Sequence, residues 1–371
     1  MYIKNDCSDN TGLFLNNRPV RVFLGKITVS DPERKQMIDL CQKIWNDIFS
    51  RCRNPDFFGL VRFDLVPHLS GLPEGSFVGD LSFSGIYEVN CHSPEDLAAF
   101  CAISETFSAL DSVNPVRILV ERLRTWSDDK KIGFLSGSCL VKDSWRDSYV
   151  VALRSHGLDL CLLDPCNPKT FLWNGPVYRW GDYRETGCTQ YPKDSDFRRW
   201  LLNLSEKGLV ANPVFPSHYD PSNKFFLLGS SESEMGRFLG NNRQLLSRED
   251  FDWSLDHVHG QHRYCGLVLK PDNGASGDGV YFGNNYKTDE WSQLCFGLID
   301  QHYSLWERKN LPRTVVDGTD YAFDFNPTFW VENGHLHYSH SLVRMCPWDK
   351  YLKHGILNVS KGAGFFAHPV Y

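Results

Sequence analysis

Leu267-Val268-Leu269-Lys270-Pro271-Asp272-Asn273-Gly274-Ala275-Ser276-Gly277-Asp278-Gly279-Val280 runs an apolar strand, closed by a lysine, into a loop with three glycines in six positions. Glycines carry no Cβ, so such a loop lets backbone N–H groups approach phosphate oxygens, and the lysine adds a point charge at the strand end. The stretch points to a nucleotide-binding strand and loop. The competing reading is a plain glycine-rich hairpin with an exposed lysine, and the loop alone does not separate the two.

The 371 residues, 42% hydrophobic and 23% charged, suffice for one large core or several smaller ones. A net charge of −6 gives no general basic field, so neither nucleic acid nor an anionic membrane is an expected partner. The 12 cysteines form no C-x-x-C pair and no zinc-finger spacing, which reads as a reduced, cytoplasmic protein. Met1 to Asp6 shows no apolar leader, and no run approaches the roughly 18 apolar residues of a membrane span.

Strands and helices alternate along the chain, predicting a mixed α+β or α/β fold. Asp31-Pro32-Glu33 opens a helix to about Ser50, followed by strands over Gly59–Val66 and Ser84–Asn90, and Ser93 caps a helix to about Leu110. A break at Asp111–Pro115 precedes a β-α-β unit: a strand over Lys131–Ser136, a helix around Ser144–His156, and a strand over Leu158–Leu163, closing near Asn212-Pro213. Asp289–Gln301 reads as a helix, and Thr328–Val331 and His335–Val343 as a hairpin around Glu332-Asn333-Gly334.

The N-terminal strands carry a second chemical pattern. Arg62 and Asp64 share one face of their strand, as do Glu88 and Asn90 of theirs. If the strands pair, two carboxylates, an amide and a guanidinium meet, and hard oxygen donors on a rigid sheet suit Mg²⁺. The alternative is a set of solvent-facing polar residues on an amphipathic sheet. No G-x-S-x-G elbow and no H-E-x-x-H helix is present to support a hydrolase.

Lys224 before an apolar run, Lys270-Pro271, the 274–280 loop, Arg344, Asn358-Val359-Ser360-Lys361-Gly362, Arg62-x-Asp64 and Glu88-x-Asn90 together resemble the ATP-grasp superfamily. In ordinary members the Asp and Glu-x-Asn strands come last. Here they come first, so the chain resembles the circularly permuted branch that includes eukaryotic-type glutathione synthetases and glutathionylspermidine-synthase-like ligases. The resemblance implies a circularly permuted ATP-grasp fold with a small doubly wound pre-ATP-grasp domain. It divides the chain into residues 1–112 (metal-binding strands), 113–214 (substrate-binding α/β domain) and 215–371 (nucleotide-binding region).

The resemblance further implies that Lys224, Lys270 and the loop residues Gly274, Ala275, Ser276, Gly277 and Gly279 contact ATP, with Gln301 at an adenine hinge. Asp64, Glu88 and Asn90 would hold Mg²⁺, and Arg62, Arg344 and Lys270 would serve the transferring phosphoryl group. Arg179, Arg184, Ser136 and Asn358 are candidate substrate contacts. Surface or ion-pair roles compete for Lys224, Arg344 and the Arg179–Arg184 cluster, and plain turns for Ser136 and Asn358. The loop departs from the family pattern because Ala275 and Ser276 interrupt its glycines, and Asp272 stands near the position of an extra metal-binding carboxylate. The expected activity is ATP-dependent carboxylate–amine ligation on small-molecule substrates, releasing ADP. The alternatives are a phosphotransferase of the same fold and a catalytically silent nucleotide-binding protein.

Overall fold

A computed structural model describes residues 14–15, 18–19, 21–23, 29–52, 57–69, 81–91, 97–98, 101, 115–136, 144–165, 167–180, 196–214, 221, 224–227, 241–257, 263–272, 277, 279–316, 318–357 and 363–366. Among these, the largest sheet has seven strands: β3 (Arg21–Phe23), β17 (Gly364–Phe366), β16 (His335–Pro347), β15 (Thr319–Glu332), β4 (Gly59–Leu69) and β5 (Leu81–Asn90) in that order, with β14 (Arg313–Val316) beside β15. Only β17 and β3 pair in parallel; the other neighbours are antiparallel. Strands from the first 90 residues and from the last 60 thus share one sheet. A separate hairpin joins β1 (Phe14–Leu15) and β2 (Arg18–Pro19).

Period-two alternation divides the large sheet's faces. Phe63, Leu65, Val89, Phe323, Phe325, Val343 and Met345 belong to one apolar core, which leaves Arg62, Asp64, Glu88, Asn90, Asp324 and Arg344 on the opposite side. Helix α1 (Asp31–Cys52) closes that core with the stripe Met37, Cys41, Ile44, Trp45, Ile48 and Cys52, spaced three or four apart. Its start is fixed by Glu33, which accepts hydrogen bonds from the Ser30 N–H at 2.7 Å and hydroxyl at 2.5 Å.

The expected β-α-β unit is present. Helix α2 (Pro115–Ser127) leads into an all-parallel sheet of strands β7 (Leu160–Leu163), β6 (Ile132–Ser136), β8 (Val177–Trp180) and β9 (Val210–Ala211), with α3 (Ser144–Ser155) and α4 (Asp196–Glu206) among its connections. Tyr178 and Trp180 lie in its core, packed around Phe134 and Tyr149, with Trp180 stacked on Phe134.

A smaller antiparallel sheet holds β10 (Asn242–Gln244), β13 (Tyr303–Glu307), β11 (Leu267–Pro271) and β12 (Tyr281–Phe282). Leu267, Leu269 and Leu305 pack on α5 (Arg248–Asp256) and α6 (Thr288–Gly297), while Val268, Phe282 and Trp306 join the large core. Lys270 shares the face of Val268, so this alternation turns it toward the seven-stranded sheet. Helix α6 stops at Gly297, short of the expected Gln301, because Asp300 and His302 adopt positive φ (60° and 59°) on the way into β13. A final helix, α7 (Trp348–His354), ends on Gly355.

The parallel sheet is tied to the large one by Asn212, fully buried at φ 59°. Its side chain accepts from Leu60 N–H at 2.9 Å and donates to the carbonyls of Leu60 (3.3 Å) and Cys91 (3.4 Å). Gly59 lies so close that a Cβ there would collide with the Asn212 side chain. Replacing Asn212 by Ala strands buried backbone groups and is expected to cost roughly 3 kcal/mol in urea unfolding, whereas a change under about 0.5 kcal/mol would contradict this role.

Candidate functional site

The polar face of the large sheet gathers residues from distant segments. Strand register sets Asp64 opposite Glu88 and Arg62 opposite Asn90, and on the neighbouring pair it sets Asp324 opposite Arg344. Phe325 opposite Leu65 aligns β15 with β4 so that Arg344 reaches both strands. Arg344 Nη2 donates to Asp64 Oδ2 at 2.8 Å, its Nε lies 3.1 Å from each Asp324 oxygen, and its Nη2 also pairs with Asp324 Oδ2. Arg62 donates to the same Asp64 through Nε (2.6 Å to Oδ1) and Nη2 (3.3 Å to Oδ2).

Asp64 is 3% exposed and Asp324 1%, so neither charge could stand there unpaired. Burial alone would raise the Asp64 pKa, but the guanidiniums of Arg344 and Arg62 hold it below the usual carboxylate range. Asp324 moves the other way: burial and the nearby Asp64 charge outweigh Arg344 and keep its pKa raised. Burial and Arg62 work against the Arg344 charge, yet the two aspartates prevail and raise its pKa further.

The lysines enter from the other side. Lys224, buried at the start of a 3-10 turn over Lys224–Leu227, has its Nζ 3.9 Å from Glu88 Oε1. Its backbone N–H donates to the Asp272 carbonyl at 3.0 Å, which docks this turn against the end of β11. Lys270 Nζ sits over the Trp306 ring (4.5 Å to its centroid) and the Tyr87 ring (5.4 Å). Burial first, then the Lys224 ammonium, push the Lys270 pKa down to about 7, against the opposing pull of Glu88 and Asp64. Asp272 is buried; its carboxylate accepts from Ser304 Oγ and from Gln244 Nε2 at 3.3 Å, and burial raises its pKa.

Of the predicted residues, Arg62, Asp64, Glu88, Lys224, Lys270 and Arg344 are thus brought into one cluster, with Asn90 across from Arg62. Gly277 and Gly279, past the end of β11, have φ of 76° and 72°, and a Cβ at these positions would lie 2.7 Å from Ile356 and 2.9 Å from the Tyr303 hydroxyl. Gln301 is exposed beyond α6 and its amide donates back to the Gly297 carbonyl at 3.0 Å. Ser136 and Arg179 belong to the parallel sheet. Arg179 is 1% exposed, and its guanidinium donates to the carbonyls of Asn212 (2.5 Å) and Pro213 (3.2 Å), contacts that secure the Asn212 junction. Gly274, Ala275, Ser276, Arg184 and Asn358 lie outside the described residues.

Asp324, Asn326, Tyr87 and Trp306 were not expected from sequence. The carboxylate–amide alternation Asp324-x-Asn326 repeats the pattern of Glu88-x-Asn90 and would have exposed the first two, had the strand been extended upstream of Thr328.

The donor chemistry fits a hard divalent cation. Among the described residues Asp64 Oδ1 accepts from Arg62, and Glu88 has the 3.9 Å ion pair with Lys224, which leaves lone pairs on both carboxylates for a metal. Among the described residues no three His, Cys, Asp or Glu side chains group around a metal position; Asp64, Glu88 and the Asn90 amide are the oxygen donors that could hold one. No helix among them is long and apolar enough to cross a membrane. No protein-family model matches the chain, and no curated protein sequence matches it.

With ¹³C-labelled lysines, NMR should show one side chain titrating near pH 7, charged below and neutral above, and lost in Lys270→Met. Titration of every lysine near the ordinary value of about 10.4 would contradict the described environment.

Proposed function

We propose that this protein is an ATP-dependent carboxylate–amine ligase of circularly permuted ATP-grasp type. The observation that carries the reading is the convergence of two lysines, two arginines and two carboxylates, drawn from separate stretches of chain, onto one buried polar face. A cationic wall facing carboxylates suits the transfer of a phosphoryl group, whose catalysis is mostly positioning and charge stabilisation.

In this reading Lys224 and Lys270 hold the ATP phosphates from opposite sides, and Gly277 and Gly279 let the loop backbone approach them. Asp64, Glu88 and Asn90 would hold Mg²⁺, which neutralises phosphate charge when bound. Arg62 and Arg344 would offer positive charge to the oxygens of the transferring group. The substrate carboxylate attacks the γ-phosphorus and ADP leaves; the amine then attacks the resulting acylphosphate, phosphate leaves, and an amide forms. Near neutral pH Lys270 carries only part of its charge in the free protein, and an incoming polyphosphate favours the protonated form.

The test is ADP release with ATP, Mg²⁺ and pools of amino acids, small acids and amines. Acceptor-dependent ADP release is expected, falling about 100-fold or more in Lys270→Met and Glu88→Gln. Full activity in both variants would refute the site, and a stable phosphorylated product without amide would assign the chain to phosphotransfer instead.

A further inference from the structure

Asp324 plays no part in the scheme above, yet it makes the firmest contact with Arg344. We infer that Asp324 is the positioning residue for Arg344, holding its guanidinium on the sheet when Asp64 is given over to a divalent cation. The inference rests on the ligase reading and deepens it.

A carboxylate offers about four lone-pair positions. Arg62 uses one on each oxygen and Arg344 uses another on Oδ2, so a cation on Asp64 would meet two guanidiniums at contact distance. Like charges so close repel strongly in a buried site, and the guanidiniums must yield. Arg344 is gripped from behind, because its Nε faces both Asp324 oxygens at 3.1 Å and its Nη2 also pairs with Oδ2.

Asp324 cannot follow the guanidinium outward. It is 1% exposed, and Asn326 Nδ2 donates to its Oδ1 at 2.7 Å while donating to the Leu342 carbonyl at 3.3 Å. The order of support is therefore Leu342 backbone, Asn326, Asp324, Arg344, with Asp64 as the one link shared with the candidate metal. Breaking that link leaves Arg344 charge-paired and in place. Without Asp324, Arg344 would have Asp64 as its remaining carboxylate partner among the described residues and would compete with the cation for it.

The experiment is calorimetry of the full chain with a β,γ-imido ATP analogue over a range of Mg²⁺ concentrations. Asp324→Asn is expected to raise the Mg²⁺ needed for half-maximal nucleotide binding about tenfold or more. Arg344→Gln removes the competitor, so adding Asp324→Asn to it is expected to leave the Mg²⁺ requirement of Arg344→Gln unchanged, which a merely structural role would not do. An unchanged Mg²⁺ requirement in Asp324→Asn, or a further rise when Asp324→Asn is added to Arg344→Gln, overturns the inference and leaves the ligase reading standing. No analogue binding by the unaltered protein at any Mg²⁺ concentration overturns both. Should circular dichroism show that Asp324→Asn does not fold, Asn326→Leu removes the amide donor that steadies Asp324 Oδ1 and is expected to shift the requirement in the same direction; no shift there overturns the inference.

Discussion

The buried arrangement of Asp64, Arg344 and Asp324 is the constraint on which the rest of the structure depends. It joins three adjacent strands, one from the first 70 residues and two from the last 60, and neutralises charges that could not otherwise leave water. Removing Arg344 alone would leave two buried carboxylates facing each other. Such a network is weak evidence for stability, since well-packed apolar side chains would serve as well or better. What it supplies is a fixed set of charges on an otherwise apolar sheet.

Around that centre the two other sheets act as mounts. The small antiparallel sheet delivers Lys270 because its alternation commits Val268 and Trp306 to the large core and carries the lysine with them. The Asp272 carbonyl then fixes Lys224 beside the same edge. The parallel sheet is docked by Asn212 and Arg179, whose polar groups are consumed by backbone partners at the junction. Lys270 illustrates the electrostatic result: desolvation and a neighbouring ammonium weaken its charge, and a polyanion would restore it.

Much of this was legible in the chain. The Arg62-x-Asp64 and Glu88-x-Asn90 alternations indicated a shared face, and the observed register sets those carboxylates opposite each other. The β-α-β unit was readable from its apolar strands and spacing. The upstream half of β15 was not, because Asp320, Asp324, Asn326 and Pro327 all disfavour strands locally. Pairing with Arg344 accounts for Asp324, and a register shift at Thr328/Phe329 follows Pro327. Arg179 read as a cleft residue because its sequence neighbours are polar and aromatic, whereas its partners, the carbonyls of Asn212 and Pro213, lie more than 30 residues away in sequence. Contacts of that kind leave no local pattern to read.

The measurement that bears most directly on the charged face is a crystal structure with Mg²⁺ and a non-hydrolysable ATP analogue. The expected result has the β- and γ-phosphates between Lys224 and Lys270, the cation on Asp64 and Glu88, and Arg344 parted from Asp64 while still held by Asp324. Nucleotide bound away from this face, or an Asp64–Arg344 pair unchanged beside bound nucleotide, would contradict the account.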